Sequence, residues 1–175
     1  MDRPTKIAFG GGCHWCTEAV FQSLKGVYNV EQGFIASTEN NSSFSEAVIL
    51  QFDSDIISLQ VLIEIHLRTH KSTSAHSMRD KYRSAIYYFS EDQKAETETL
   101  LNAFQLEFGN QLITKAYPFS EFKASREAIQ NYYQKNPKKP FCERFINPKL
   151  RLLLKDFSNY IDTDFIPKTL QSTSE

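Results

Sequence analysis

Lys6-Ile7-Ala8-Phe9-Gly10-Gly11-Gly12-Cys13-His14-Trp15-Cys16 is the stretch on which the reading of this chain turns. Residues 6–9 form a short apolar run that suits a buried strand. The three glycines after it let the backbone turn sharply and approach a ligand closely. A helix then runs from His14 to about Leu24. Ala19, Val20 and Leu24 give it an apolar stripe, and Lys25-Gly26 ends it. This places Cys13 at a helix head, where unpaired amides and the helix dipole favour the thiolate, the nucleophilic form of cysteine. His14 beside it can add positive charge. The plainer alternative is a buried cysteine following a turn.

Outward from this element, strands are expected over residues 27–34 (interrupted at Gly33), 47–52, 84–89 and 111–117. Ser58 caps a helix reaching His70, with Leu59, Leu62, Ile63 and His66 on one face. Ser90 and Gln93 form a capping box for a helix that carries Leu101, Phe104 and Phe108 and closes at Gly109-Asn110. Residues 125–136 read as a helix stopped by Pro137, and residues 151–160 as a last helix. Residues 38–43 and 71–80 are polar and irregular. Mixed strands and helices without strict alternation predict an α+β two-layer sandwich, a ferredoxin-like mixed sheet with helices packed against it.

The 175 residues, 41% hydrophobic and 23% charged, fit a single domain over 1–170 with a frayed tail at 171–175. A net charge of −1 with no long basic run argues against nucleic-acid or membrane-surface binding through bulk charge. No apolar stretch is long enough to span a bilayer. The polar residues 1–6 lack the features of a secretory signal, so a cytoplasmic protein is expected; a monomer is expected as well. In that compartment thiols stay reduced, and cysteines more often serve catalysis or metal binding than cross-linking. The odd count, Cys13, Cys16 and Cys142, also fits poorly with paired structural disulfides.

The stretch Gly11-Gly12-Cys13-His14-Trp15-Cys16, with Glu18 beyond it, resembles the signature of the A-type peptide methionine sulfoxide reductases. Leu24-Lys25-Gly26-Val27, Gly33-Phe34, Ser45-Glu46-Ala47-Val48, Lys81-Tyr82-Arg83-Ser84-Ala85-Ile86-Tyr87 and Asn131-Tyr132-Tyr133-Gln134-Lys135-Asn136-Pro137 extend the resemblance in the family's order, from about residue 6 to residue 142.

The resemblance implies thiol-dependent reduction of methionine S-sulfoxide, with no cofactor and no metal. A thiolate attacks the sulfoxide sulfur while an acid protonates its oxygen. The resemblance assigns attack to Cys13 and proton donation to Glu46, with Tyr82 as a hydrogen-bonding partner. A carboxyl that donates at neutral pH needs its proton held more tightly than usual, and the apolar run after Glu46 suggests burial as the means. His14, Trp15 and Phe34 would contact the substrate, Trp15 as a wall for the methyl group. Glu18 reads as structural support. Attack leaves a sulfenic acid on Cys13, which a second thiol condenses with. The resemblance points to Cys142, in a polar, proline-rich and therefore mobile segment, as that resolving thiol. Cys16, at Cys-x-x-Cys spacing, is the alternative. A thioredoxin-type reductant would complete the cycle.

Several positions depart from the family pattern. His14 stands in place of phenylalanine. Residues 35–44 form a short loop without the family's second tyrosine. Ser77 replaces an aspartate that helps bind the substrate backbone, and Ala75 and Arg79 replace neighbouring glycines. The segment after Cys142 lacks the expected glycine-rich tail. These losses keep open a non-catalytic redox sensor or methionine-sulfoxide binder on the same fold. A zinc module built on Cys13-x-x-Cys16 and His66-x-x-x-His70, and general disulfide exchange through Cys13 and Cys16, are weaker alternatives, because the first pairs lie far apart and the second leaves Glu46 and Tyr82 without a role.

Overall fold

The computed structural model describes residues 5–171. The expectations for residues 1–4 and 172–175 fall outside it, and Gln171, assigned to the tail, closes the last helix.

Strands β1 (Thr5–Gly10), β2 (Val27–Ala36), β3 (Ser45–Phe52), β4 (Ala85–Tyr88), β5 (Lys115–Pro118) and β6 (Glu121–Ala124) form one sheet in the order β5-β4-β1-β3-β2-β6. The helices are α1 (His14–Gln22), α2 (Leu59–Thr69), α3 (Glu91–Gln105), α4 (Tyr132–Lys135), α5 (Asn147–Asp156) and α6 (Lys168–Gln171). β3 lies between β1 and β2, and β1 between β3 and β4, each pair antiparallel. Two βαβ units, β1-α1-β2 and β3-α2-β4, therefore interlock in the ferredoxin-like manner. α3 carries the chain to β5, which pairs parallel with β4, and β6 adds to the β2 edge.

Alternation along the central strands divides the core. Ile7, Phe9, Val48, Leu50 and Ile86 face the helices and pack with Val20, Leu62, Ile63, Leu150 and Leu153. Ala8, Ala47, Ile49, Ala85 and Tyr87 face the other way and are covered by Tyr117, Phe119 and Phe122 rather than by a helix. The two-layer α+β expectation matches this arrangement.

Three element expectations are corrected. Residues 125–136 are not one helix: a 3₁₀ turn, Glu127–Ile129, is followed by Asn131 in the left-handed region at φ 55° and by the single turn of α4. The cause is Glu18, whose carboxylate accepts from the Asn131 and Tyr132 amides at 3.0 and 3.1 Å and restarts the chain in a new direction. β5 begins only at Lys115, because the Gln105 side chain takes both the N–H and the C=O of Leu112. The last long helix starts at Asn147, with proline in its first turn, and ends at Asp156.

Candidate active site

Gly11 makes the turn that delivers Cys13. Its φ is +151°, and a Cβ there would lie 2.5 Å from the His70 ring, so no side chain fits. Cys13 then caps α1, accepting at its carbonyl from the Cys16 and Thr17 amides. Its thiol is held below the ordinary cysteine value, first by a hydrogen bond from the Cys16 thiol and next by the Trp15 and Cys16 amides, against the opposing effect of burial. Cys16 is pushed far up, by donating to Cys13 and by its own burial. Of the two, Cys13 is the one whose thiolate form is favoured.

The loop before β4 sets the second half of the site. Lys81 C=O accepts from the Glu46 amide at 2.9 Å and from Ser45 Oγ at 2.9 Å, while Ser45 Oγ accepts from the Arg83 amide at 2.7 Å. This clamp places the Lys81-Tyr82 pair beside the head of β3. Arg79 organises the rest of the loop, donating to the carbonyls of Gly11, Lys71, Ser74 and Tyr82 at 2.5–2.8 Å. The arginine at a position where the family pattern has glycine therefore braces the loop against the glycine turn.

Glu46 is 6% exposed, but its surroundings are polar rather than the apolar pocket expected. Its Oε1 accepts from the His14 amide at 3.2 Å and lies 3.4 Å from His14 Nε2, while Oε2 lies 3.7 Å from Lys81 Nζ. Lys81 also sits over the Tyr82 ring at 5.2 Å, and its ammonium is stabilised first by Tyr82 and then by Glu46.

A cavity of about 420 Å³ opens at Cys13. Its walls include Cys16, Tyr82, Met78, Phe141, Phe145 and Lys149. Lys149 escaped the sequence reading, because it lies in the segment that matched no pattern. Its ammonium donates to Thr69 C=O, and burial pushes its pKa down against the pull of Cys16 and Cys13. Its charge in turn favours thiolate at Cys16.

The expected substrate walls are placed differently. His14 is buried, its ring engaged with Gly33 C=O at 3.0 Å and with Glu46, and Phe34 meets it edge-on at 5.2 Å. Trp15 stacks on Tyr132 at 4.0 Å and meets Phe141 edge-on. Neither His14, Trp15 nor Phe34 lines the cavity at Cys13, whereas Tyr82 does. Glu18 is fully buried and accepts from Gln32 Nε2 as well as from the two amides, the supporting role expected of it. The segment carrying Cys142 is not an open loop. Cys142 lies buried in a π-helical turn, Cys142–Ile146, its thiol directed at Asn136 C=O at 3.5 Å and raised in pKa chiefly by burial.

His66 and His70 do not join the cysteines in a ligand set. His66 Nε2 donates to Gly10 C=O at 2.7 Å, and His70 bonds the His66 C=O and Ser84 Oγ. Among the described residues no three of His, Cys, Asp and Glu converge as metal ligands. Burial holds both histidines neutral in the fold, pushing His70 down to about 4 and His66 lower than its usual value. In the unfolded chain they protonate near pH 6.5, so acid favours unfolding. Stability is therefore expected to fall as pH drops from about 6.5 towards 4, His70 alone contributing a loss of about 3 kcal/mol. Urea unfolding at stepped pH checks this, and a flat stability between pH values of about 7 and 5 would contradict it.

A cysteine at a helix head with its thiolate form favoured, a second cysteine one turn on and a buried glutamate nearby define the class as a thiol-based oxidoreductase on a ferredoxin-like sheet. A family model described as peptide methionine sulfoxide reductase matches residues 5–160, and the chain belongs to that family. A relative from Psychrobacter sp. (strain PRwf-1), named peptide methionine sulfoxide reductase MsrA, is 33% identical over 171 residues, covering 89% of this chain and 97% of its own. Among solved structures, Mxr1 from Saccharomyces cerevisiae in reduced form superposes with a TM-score of 0.67 at 22% identity, covering 80% of this chain and 90% of its own. Mxr1 in complex with Trx2 superposes with a TM-score of 0.57 at 20% identity, covering 74% and 85%. Among the described residues no helix is long and apolar enough to cross a membrane.

Proposed function

We propose that this chain reduces the S epimer of methionine sulfoxide, free or within peptides, to methionine. The observation that carries the reading is Cys13 in the wall of the cavity that Tyr82 also lines, with Glu46 outside that lining and held against His14, the residue after Cys13. Met78, Phe141 and Phe145 offer an apolar wall for the thioether end of the substrate. The Cys13 sulfur attacks the sulfoxide sulfur, and Glu46 gives a proton to the sulfoxide oxygen. Cleavage of the sulfur–oxygen bond transfers that oxygen to Cys13. Methionine leaves reduced by two electrons, and Cys13 is oxidised by two to the sulfenic acid.

A neighbouring thiol then displaces water from the sulfenic acid to form a disulfide. Cys16 stands first for this step, because it follows Cys13 by one turn of α1 and its thiol is the largest influence on Cys13, and Cys142 second, because its sulfur is buried and directed at Asn136 C=O. A thioredoxin-type dithiol reduces the disulfide. The occurrence of the similarly folded Mxr1 in a complex with Trx2 supports that partner class.

The test is reduction of the separate S and R epimers of a blocked methionine sulfoxide with dithiothreitol. Turnover of the S epimer alone is the expected result. Absence of turnover by folded, reduced protein would overturn the reductase reading. It would leave a sulfoxide binder or redox sensor, which the missing tyrosine and Ser77 would then explain.

A further inference from the structure

Histidine stands at position 14 where the family pattern has phenylalanine, and the structure gives that ring two polar partners. Nδ1 lies 3.0 Å from Gly33 C=O. A carbonyl only accepts, so Nδ1 carries a hydrogen. The state of the other nitrogen then depends on its neighbour. Nε2 faces Glu46 Oε1 at 3.4 Å, with both side chains almost wholly buried. Imidazolium facing carboxylate, or imidazole facing carboxylic acid, satisfies that contact with one proton. Two bare lone pairs, or two protons, do not.

From this geometry we infer that His14 is a positioning residue for proton transfer: it shares one proton with Glu46 and passes it through that carboxyl to the sulfoxide oxygen. The inference rests on the reading of the site given above. The pair holds one proton before attack. That proton passes from His14 Nε2 to Glu46 and from Glu46 to the sulfoxide oxygen. His14 ends neutral, with Nδ1–H still bound to Gly33, and Glu46 ends as the carboxylate. Charge is conserved, because the pair loses the one proton that the oxygen gains and takes one back from solvent between turnovers. Phenylalanine at this position could close the wall but could hold no proton.

The other charged or titratable groups facing the pair are few. Cys13 stands at the head of α1, and its thiolate is disfavoured by the Glu46 charge. Lys81 approaches Oε2 from the loop before β4 and bears Tyr82 with it. β2 contributes the Gly33 carbonyl and the uncharged Phe34 ring. Lys81 alone would favour a bare carboxylate, and that is the reason a proton reservoir on the Oε1 side matters.

The experiment measures single-turnover methionine formation from a sulfoxide peptide across about pH 5 to 9. It compares wild type, His14→Phe, His14→Asn, Glu46→Gln and the Glu46→Gln, His14→Phe double variant. Wild type is expected to hold its rate through neutral pH and lose it as the shared proton is lost. His14→Phe should move that basic limb towards acid and lower the neutral rate roughly tenfold to a hundredfold. His14→Asn can still donate to Gly33 C=O without holding a proton, so it should follow His14→Phe and carries the test if the phenylalanine variant does not fold. In the Glu46→Gln background His14→Phe should add little, because the pair acts as one unit.

A wild-type pH profile in either His14 variant, or an equal loss in both Glu46 backgrounds, would overturn the relay. So would nitrogen NMR of the unmutated protein finding His14 Nδ1 unprotonated. No turnover by wild type at any pH would remove the reductase reading itself, a different result from an active enzyme indifferent to residue 14.

Discussion

Cys13→Ser is expected to abolish sulfoxide reduction, with a loss on the order of 10⁴-fold or more under any reductant. Two independent properties disappear together. The first is nucleophilicity at neutral pH. The helix-head amides of Trp15 and Cys16 and the Cys16 thiol favour a thiolate at this position, but they are far too weak to ionise an alcohol. The second is redox capacity. Turnover requires the attacking atom to accept the sulfoxide oxygen and give up two electrons, which sulfur does as a sulfenic acid and a serine oxygen cannot. Neither the cavity nor Glu46 can compensate, since both act on a substrate that no longer meets a reductant. The variant should still fold, because Cys13 caps α1 through its backbone carbonyl rather than its sulfur. The measurement is methionine formed per enzyme, alongside the far-ultraviolet spectrum. Residual turnover in folded Cys13→Ser protein would move the nucleophile to Cys16.

The central fold was legible because its determinants are local. The apolar runs of β1 and β3, the Ser58 cap and the Ser90–Gln93 capping box are written in neighbouring residues, and the Ser58 and Ser90 side chains accept from Val61 and Gln93 as read. The failures share the opposite property. Nothing in residues 125–136 signals that a carboxylate from residue 18 will capture two of their amides and bend the chain at Asn131. β6 was missed because it is a short edge strand without apolar alternation, admitted by close approach of its backbone to Gly33, where a Cβ would lie 2.3 Å from Lys123 C=O. The site shows the same division. Cys13, Glu46 and Tyr82 were named from motif and chemistry, yet the facts that set their behaviour are tertiary. These are the Lys81 clamp on the head of β3, the Arg79 brace and the Lys149 ammonium in the cavity wall. The buried placement of His14 could not be read either, since Gly33 C=O and Glu46 reach it from distant strands.

Cys16→Ser should separate the first turnover from all later ones. Its hydroxyl can replace the thiol as a donor to Cys13, so the first methionine should form within about tenfold of the wild-type rate. The sulfenic acid then has no adjacent thiol. With a thioredoxin-type reductant, steady turnover should fall on the order of a hundredfold, and a sulfenic-acid trap should label Cys13. Dithiothreitol, small enough to enter the cavity, should restore most of it. Cys142→Ser should cycle nearly normally, because its sulfur is buried in the π-helical turn and aimed at Asn136 C=O. A disulfide requires the two Cβ atoms within about 4.5 Å of each other, so Cys142 must turn from Asn136 C=O towards Cys13 before it can serve, and any unwinding of its turn adds to that step. Unwinding would also separate Phe141 from Trp15 and Tyr132, whose rings it meets edge-on, so opening carries an energetic cost that the Cys16 route avoids. If instead Cys142→Ser arrests recycling and Cys16→Ser does not, the turn opens during each cycle. Cys16 would then serve to hold Cys13 as a thiolate rather than to resolve it, and peptide hydrogen exchange in residues 136–146 should rise when Cys13 is oxidised.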